Sequence, residues 1–599
     1  MRGIFHYART ISGDRQILAA FDDGVNEWEL WYSTDSGVNF TFIVDAGAGS
    51  IGTIPDFAQF GDDLFITNGV LAPRQWNGTT LTTAGRTQSP TPTSAESSSA
   101  GSLVGTYKYK LLNRYDDGSS GAGSVASTVL SVTDKKIDLS WTADADTDVV
   151  GYDIYRTTGT GEVYYFVDYS DSRTTVAYTD NTLDLDILEN RVMEEHGDPP
   201  PTGAYFCEPH KQRMWYGRTD AFPTRVYWSD PGLPEDVGLN SFLDFSDSET
   251  TGDICTGMFG NYEGRLIVFT DRAVWAVSGT GQITGNIQDW ARIRTNAHTG
   301  CVSHRSAARV PAGAKYPDQN GKMQLTDVET IAYFTPLNDI RIFDGDNDIV
   351  ISHPKKEDLA LASFANRRKV FVIEDGVRGE LTWVYPGSGQ NECTTAVTWN
   401  YKWGVWYERE WGFACASVGT TSTSAQLILA GSNSTTTGGK VFQLWSGNSF
   451  AGSAIEAIWM TKTLYGVNAA DQPAMSNMKR WRWLDLLFQT EGNTQLTVDW
   501  LEGHSPDDAA AYGSAFVSPA AQAIITSDGE AILSADAEAL TCSQSTTVVR
   551  AILKNTGSDY LHHEGIRIRV SDNAALGSWA LEGMQLAYQI LPGLQRRFQ

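Results

Sequence analysis

The chain has 599 residues, 45 basic against 72 acidic, for a net charge of −27. That balance disfavours a protein that grips nucleic-acid phosphates, since such affinity comes from Lys and Arg neutralising the backbone; it suits a solubilising surface, or a wall along which a duplex slides without sticking. No apolar run reaches the roughly 18 residues that suggest a membrane-spanning helix, and behind Arg2 and Arg9 there is no apolar stretch of a secretory signal.

Such a length suits about three or four ordinary domains, or fewer if one is a large all-β unit. Strand grammar begins at Arg15, with Ile17–Phe21 and Trp28–Tyr32 flanking a turn at Asp22-Asp23-Gly24. Runs rich in β-branched and aromatic residues, bounded by Gly, Asp or Pro, are strand and hairpin signals. The octet Ser33-Thr34-Asp35-Ser36-Gly37-Val38-Asn39-Phe40 resembles the Asp-box of sialidases and related propellers, S-x-D-x-G-x-x-W, with Phe40 in place of Trp. Its chemistry is local. Ser33 and Asp35 are expected to bond the turn backbone, Gly37 to take φ > 0, and Phe40 to plug the sheet. A second unit spans Phe57–Leu81, and Thr83–Ser102, rich in Ser, Thr, Pro and Ala, reads as a linker.

Thr106–Asp180 has short alternating strands at sandwich spacing. The series Tyr107-Lys108-Tyr109, Leu139-Ser140-Trp141, Gly151-Tyr152-Asp153-Ile154-Tyr155-Arg156 and Tyr178-Thr179-Asp180 resembles fibronectin type III domains. The resemblance implies an inserted spacer or interaction module, with Tyr107, Trp141, Tyr152 and Tyr155 in its core. Asp144, Asp146 and Asp148 lack the Gly and the final Glu of an EF-hand loop, so they read as a solvated turn.

Propeller grammar resumes after Pro199–Pro201. Ala204–Gly279 holds two successive copies of one unit, apolar strand, Gly turn, apolar strand ending on an aromatic, and a repeat of about 40 to 50 residues is what propeller blades give. In these copies Trp215, Trp228, Phe269 and Trp275 read as core, and Arg213 and Arg265 as ties between turns. Further units follow at Val302–Ile342, Val370–Tyr407 and Gln426–Trp445, for about seven in all, with roughly five to eight fitting the same text. From Ala454 longer strands appear, at Trp459–Leu464, Lys479–Gln489, Gln495–Trp500, Thr546–Leu553, Ile566–Val570 and Trp579–Ile590, interrupted by an Ala/Ser-rich loop over about Ser505–Ser545. The expected class is all-β: a β-propeller with an inserted fibronectin type III-like β-sandwich and a C-terminal β-sandwich domain. The divisions are 1–90 for the first blades, 91–188 for the insertion, 189–450 for the remaining blades and 451–599 for the last domain.

No catalytic constellation emerges. His562-His563-Glu564 lacks the H-E-x-x-H spacing that would put two imidazoles on one helix face. Gly279-Thr280-Gly281 with Gly285 fails G-x-G-x-x-G and reads as a hairpin. Asp344-Gly345-Asp346-Asn347-Asp348 reads as an acidic turn, with calcium as a lesser alternative. Cys207, Cys255, Cys301, Cys393, Cys415 and Cys542 lie far apart without metal-ligand partners and read as small buried hydrophobes. No cofactor, metal or catalytic residue is assigned. A sialidase-type arginine triad would need residues such as Arg213, Arg265 and Arg341 to converge, and a carboxylate pair for glycoside hydrolysis is a matter of spatial separation; an enzyme therefore stays as the alternative.

The ordered run from His210 to Ser352 carries the functional reading. It comprises H-K-Q-R-M-W-Y-G, P-T-R-V-Y-W-S-D-P-G-L-P-E-D-V, N-Y-E-G-R-L-I-V-F-T-D-R-A-V-W-A-V-S-G, H-T-G-C-V-S-H-R-S and I-A-Y-F-T-P-L-N-D-I-R-I-F-D-G, followed by I-V-I-S. This run, with the strands around Lys479–Leu487 and Thr497–Asp499, resembles the tail nozzle (tail tube terminal) proteins of short-tailed bacteriophages. The resemblance implies a structural virion protein, not an enzyme, assembled in the host cytoplasm. It implies a homohexamer forming the distal tail tube, through which DNA passes without specific binding. Adaptor or portal-side proteins would lie above it, with tail fibres or a plug at its sides or tip. The alternative is a carbohydrate-binding or glycan-hydrolysing propeller, suggested by the Asp-box at 33–40.

Overall fold

The computed structural model describes residues 1–599 except 11–12, 23–26, 46, 48–52, 117–120, 194–198, 247–251, 282, 285–286, 422–424, 434–438, 447–448, 451–452, 455–456, 462, 465–476, 492–495, 503–510, 512, 518–545, 553–561, 564–565, 573–577 and 596–599. The chain is all-β and divides into two compact units, Met1–Leu444 and Trp445–Gln599.

In the first unit seven antiparallel sheets follow one another, six of four strands and the last of three. Their first strands are Gly3–Ala8, Asp56–Phe60, Phe206–His210, Cys255–Tyr262, Ala307–Val310, Phe371–Asp375 and Phe413–Thr420. These lie against one another in succession, with the 3-10 turn His304–Ser306 helping to join the fourth to the fifth. Phe413–Thr420 in turn lies against Gly3–Ala8, so the series closes into a ring. This is the cyclic order of a β-propeller, and the sheets are numbered below as blades 1 to 7.

The reason for the ring is visible in strand Arg265–Thr270 of blade 4. Side chains alternate along a strand. Leu266 and Val268 join a cluster with Trp215 and Trp228 of blade 3, whereas Ile267 and Phe269 join Ile331, Tyr333 and Phe343 of blade 5. A strand apolar on both faces must be covered on both, which accounts for the continuous run L-I-V-F. The same holds for every successive pair of blades. Ile4 and Ile17 of blade 1 close the circle on Cys415, Leu427 and Leu429 of blade 7. Each fully buried Leu, Ile, Val or Phe contributes about 1.5–3 kcal/mol, so the stability of the ring lies between its blades.

Between blades 2 and 3 stand two three-stranded sheets. Tyr109–Tyr115, Val149–Thr157 and Tyr164–Ser170 form one, and Thr93–Tyr107, Leu130–Ser140 and Ala177–Asp180 the other. Their shared core holds Tyr107, Trp141 and Tyr152, with the last two rings edge-on at 5.5 Å. Tyr155 is also buried. Arg156 and Asp180, both fully buried, pair at 2.7 Å, and the Tyr109 hydroxyl donates to the same carboxylate.

Three expectations about elements are corrected. Much of the expected linker Thr83–Ser102 is strand, because Thr93–Ser102 belongs to Thr93–Tyr107, whose Ser and Thr residues pair with Leu130–Ser140 through two register shifts. Strand structure begins at Gly3, not Arg15, and Gly3–Ala8 is the innermost strand of blade 1. Blade 5 carries an extra hairpin, Lys315–Pro317 with Met323–Leu325, that its short, mixed sequence hides.

The second unit contains one sheet ordered Ala457–Met460, Ile566–Asp572, Leu496–Glu502, Gly513–Val517, and another in which Asn477–Glu491 pairs with Thr546–Ile552, His562–His563 and Ser578–Gln595. Val498, Trp500, Ile568 and Val570 are buried, and Arg569 binds Asp499 at 2.7 Å. Gly513–Val517 is a strand inside the expected loop Ser505–Ser545, whose remaining residues are mostly outside the described ones. His562–His563, expected between strands, is itself a two-residue strand. Among the described residues no helix is long and apolar enough to cross a membrane.

Candidate functional site

The Asp-box is a turn. The Ser33 hydroxyl donates to Asp35 Oδ1 (2.6 Å) and accepts from Gly37 N–H (3.0 Å). Asp35 Oδ1 accepts from Val38 and Asn39 N–H (3.1 and 2.9 Å). The Asn39 backbone bond, then those from the Ser33 and Asn39 side chains, hold the Asp35 carboxyl down to about 2. Gly37 takes φ 88°, a left-handed value that glycine adopts without steric penalty. Phe40 packs on the cluster joining blades 7 and 1. Every acceptor of Asp35 points at its own turn.

The other nominated residues are likewise structural. Arg213 donates to the carbonyls of Ser229 (2.7 Å) and Gly281 (3.0 Å), and Arg265 to that of Gly345 (3.1 Å). Arg341 binds Asp339 and Asp348 within blade 5, so the three arginines serve three separate turns. Asp144 accepts from Asp146 N–H and from Asn113 Nδ2, and Asp146 accepts from Asp148 N–H, a closed turn network. Asp344 Oδ1 accepts from the N–H groups of Asp346 and Asn347. Asp289 accepts from Thr280 and Gly281 N–H, ordering the base of a short hairpin. Cys207, Cys255, Cys301, Cys393 and Cys415 are buried, free thiols; Cys542 lies outside the described residues. Among the described residues no three His, Cys, Asp or Glu side chains gather for a metal ion.

The first strand of each blade presents an unpaired edge to the axis, and backbone N–H groups there need partners. Neighbouring blades supply them. Cys207 N–H donates to Asp56 Oδ2 (3.0 Å), Gly260 N–H to Glu208 Oε1 (2.8 Å), Asn261 N–H to His210 Nδ1 (3.1 Å), Met258 N–H to His304 Nδ1 (3.1 Å) and His6 N–H to Ser417 Oγ (3.1 Å). A belt of polar side chains thus stitches the blades together where the strands are most crowded. Gly257 shows the crowding, since a Cβ there would lie 2.7 Å from the His304 Cα.

On this axis lies a cavity of about 330 Å³, walled by the first strands of blades 1, 2, 5, 6 and 7 or the residues leading into them. Its polar groups include Asp56, Arg305, Glu374 and Ser417, and its apolar walls include Phe57 and Phe371. Arg305 also borders a smaller void of about 10 Å³ beside Arg2, Lys369 and Glu392, so it stands between the two. Its guanidinium lies 5.7 Å from the Phe371 ring centre. Asp56 faces His304 Nε2 at 3.5 Å, and the His304 ring stacks on Phe206 at 5.2 Å. Burial pushes the Asp56 carboxyl up against the opposing pull of His304 and Cys207 N–H. Glu208 is pushed up by burial in the same way. Glu374 is exposed on the cavity wall, and the crowding of that wall raises its carboxyl against the pull of the Arg309 backbone N–H. Burial also penalises the Arg305 cation.

None of Asp56, Glu208, His304, Arg305 or Glu374 was singled out by sequence reasoning, although His304 and Arg305 lie in the phrase H-T-G-C-V-S-H-R-S. The usable signal was charged or imidazole side chains inside a short innermost strand that is otherwise apolar, Glu208 and His210 in F-C-E-P-H at 206–210 and Glu374 and Asp375 in F-V-I-E-D at 371–375. Chemically the arrangement can bind: it offers a planar cation against an aromatic ring and carboxyls whose neutral form is favoured. The thiol in its wall, Cys415, is pushed up to about 11 by burial and is a poor nucleophile.

No family model and no curated protein matches the chain. Solved structures give only faint similarity. A putative 6-phosphogluconolactonase from Bacteroides uniformis has a TM-score of 0.24 and 10% identity over 57% of this chain and 95% of its own. The extracellular domain of a putative hybrid two-component system from B. thetaiotaomicron has 0.23 and 12% over 93% and 80%. A family 43 arabinoxylan arabinofuranohydrolase from Bacillus subtilis has 0.17 and 8% over 84% and 96%. Values this low bring neither fold nor activity to this chain.

Proposed function

We propose that this chain is a structural virion protein of a short-tailed bacteriophage, forming the distal tail tube as a homohexamer. The observation that carries the proposal is the ordered series of phrases from His210 to Ser352, which resembles tail nozzle proteins in sequence. Those phrases lie on blades 3 to 5, where Trp215, Trp228, Phe269 and Trp275 are buried scaffold rather than parts of a site. A net charge of −27 agrees with a conduit that repels phosphate. On this reading DNA runs between protomers, because the axial cavity of one chain has the size of a small-ligand pocket. Adaptor or portal-side proteins, fibres and a plug are the partners this role requires.

Sedimentation of the purified chain, with mass spectrometry of purified virions, tests the proposal. A ring-sized oligomer and stoichiometric presence in the tail are expected; a strict monomer at high concentration that is absent from virions would defeat it. The axial cavity favours one second reading, a carbohydrate-binding or glycan-hydrolysing propeller, because its carboxyls and aromatic wall are of the kind a sugar site uses. Hydrolysis of a host glycan that disappears in Asp56→Asn or Glu374→Gln would promote that reading over the first.

A further inference from the structure

Arg305 is the anomaly of the axis. Among the described residues no carboxylate comes within ion-pair distance of its guanidinium, and none of its N–H groups makes a hydrogen bond. Every other cation near it is engaged, with Arg2 on Asp22 and Glu392, and Lys369 on Glu392. Asp56, the acidic group that acts on Arg305 electrostatically, already accepts from Cys207 N–H and faces His304. An Arg side chain stays protonated and carries five donors in a fixed fork; Arg305 is half-buried, and none of its donors is used on the protein, which leaves them to whatever enters the cavity. The ring of blades keeps it between the two voids, against the Phe371 ring, beside the cavity of about 330 Å³. This volume lies at the small end of the range that ligand pockets span, and the cavity has polar groups placed around it.

We propose that the axial cavity binds a small carboxylate-bearing molecule, anchored by a two-pronged contact to Arg305, with one face of the ligand on Phe371 and its hydroxyl or other polar groups toward Glu374 and Ser417. The planar fork matches a carboxylate better than a spherical anion. Glu374 and Asp56, where they hold a proton, donate toward the ligand and add no repulsion. The site does not depend on the virion role and stands or falls separately.

The test is calorimetric titration and thermal unfolding of the full chain with glucuronate, acetate and inorganic phosphate, and with glucose as the uncharged control, for wild type, Arg305→Lys and Arg305→Met. Glucuronate is expected to bind and to raise the unfolding temperature of wild type, with acetate weaker and glucose inert. Arg305→Lys, which keeps the charge and loses the fork, should bind roughly tenfold more weakly. Arg305→Met should not bind, yet the ligand-free variant should unfold no earlier than wild type, since no ion pair or hydrogen bond of the folded chain is removed with the guanidinium. Equal binding in all three proteins, no binding of any carboxylate to wild type, or tighter binding of phosphate than of both carboxylates would each overturn the assignment. So would an Arg305→Met variant that unfolds well below wild type, because Arg305 would then be a structural tie.

Discussion

Acid should weaken the ring through His210. This residue is 1% exposed, on the innermost strand of blade 3, and its Nδ1 accepts the backbone N–H of Asn261 in blade 4. The neutral ring therefore carries its proton on Nε2, which is buried without a partner. A second proton would have to sit on Nδ1, where the Asn261 N–H already points and only the Asn261 Oδ1 at 3.0 Å could receive it. Burial accordingly holds the imidazole down to about 4, against 6.5 for an unperturbed histidine, with the Asn261 side chain opposing and Lys211 assisting. The unfolded chain takes up a proton below pH 6.5 and the folded chain resists until about pH 4, so this stability is fully present above 6.5 and is lost as pH falls between those values. At about pH 5 the loss works out at about 2 kcal/mol, from the ratio of proton-binding terms of the two states. Urea unfolding of wild type and His210→Asn, at about pH 7.5 and about pH 5 and constant ionic strength, measures it. Asn offers an oxygen near the position of Nδ1, and the space it leaves lowers stability equally at both pH values. Wild type should lose about 2 kcal/mol more than the variant on acidification. Equal losses, or a smaller loss in wild type, would refute the assignment of a neutral buried ring.

His6, held down to about 4 by burial, should add a loss of the same sign over the same interval, visible as a shallower pH profile in His6→Asn. Gly257→Ala should cost about 1–3 kcal/mol in urea unfolding, because the new methyl meets the His304 backbone. Trp215→Ala should cost about 3–5 kcal/mol by emptying the cluster between blades 3 and 4. Asp180→Ala in the inserted sandwich leaves Arg156 buried with part of its charge uncompensated and should cost about 3–5 kcal/mol. Hydrogen exchange should place that last loss within residues 93–180, and exchange that instead quickens in blades 4 to 6 would contradict it.

The parts of the fold that could be read from sequence are those where one strand carries its own evidence. Leu266–Phe269 is apolar on both faces and can only be an internal blade strand, and Ser33–Phe40 contains its turn complete. Gly3–Ala8 could not be read this way, since its six residues owe their strand to pairing with Arg15–Asp22 and to cover from blade 7. Thr93–Ser102 misled for a related reason: Ser and Thr favour loops locally, yet the edge of Leu130–Ser140 supplies the ladder that makes them a strand. The axial site was hidden more deeply. Asp56, Glu208 and the adjacent His304 and Arg305 come from three separate segments, and what these share is proximity to an axis that exists only when the ring has closed.

That closure has a consequence for the order in which the protein can be made. His6 bonds Ser417, a partner 411 residues away. The first sheet to leave the ribosome therefore waits for almost the whole first unit before Ile4, Ile17 and Phe40 find Leu427 and Leu429. Loop-closure entropy grows only logarithmically with chain length, so the delay costs time rather than final stability. In the interval the sandwich of residues 93–180 can fold on local contacts, while blade 1 offers a bare strand edge and an apolar flank to any neighbour. A nascent chain released before Phe413 keeps that edge open indefinitely, and truncation so near the end of the unit should lead to aggregation rather than to a smaller working ring.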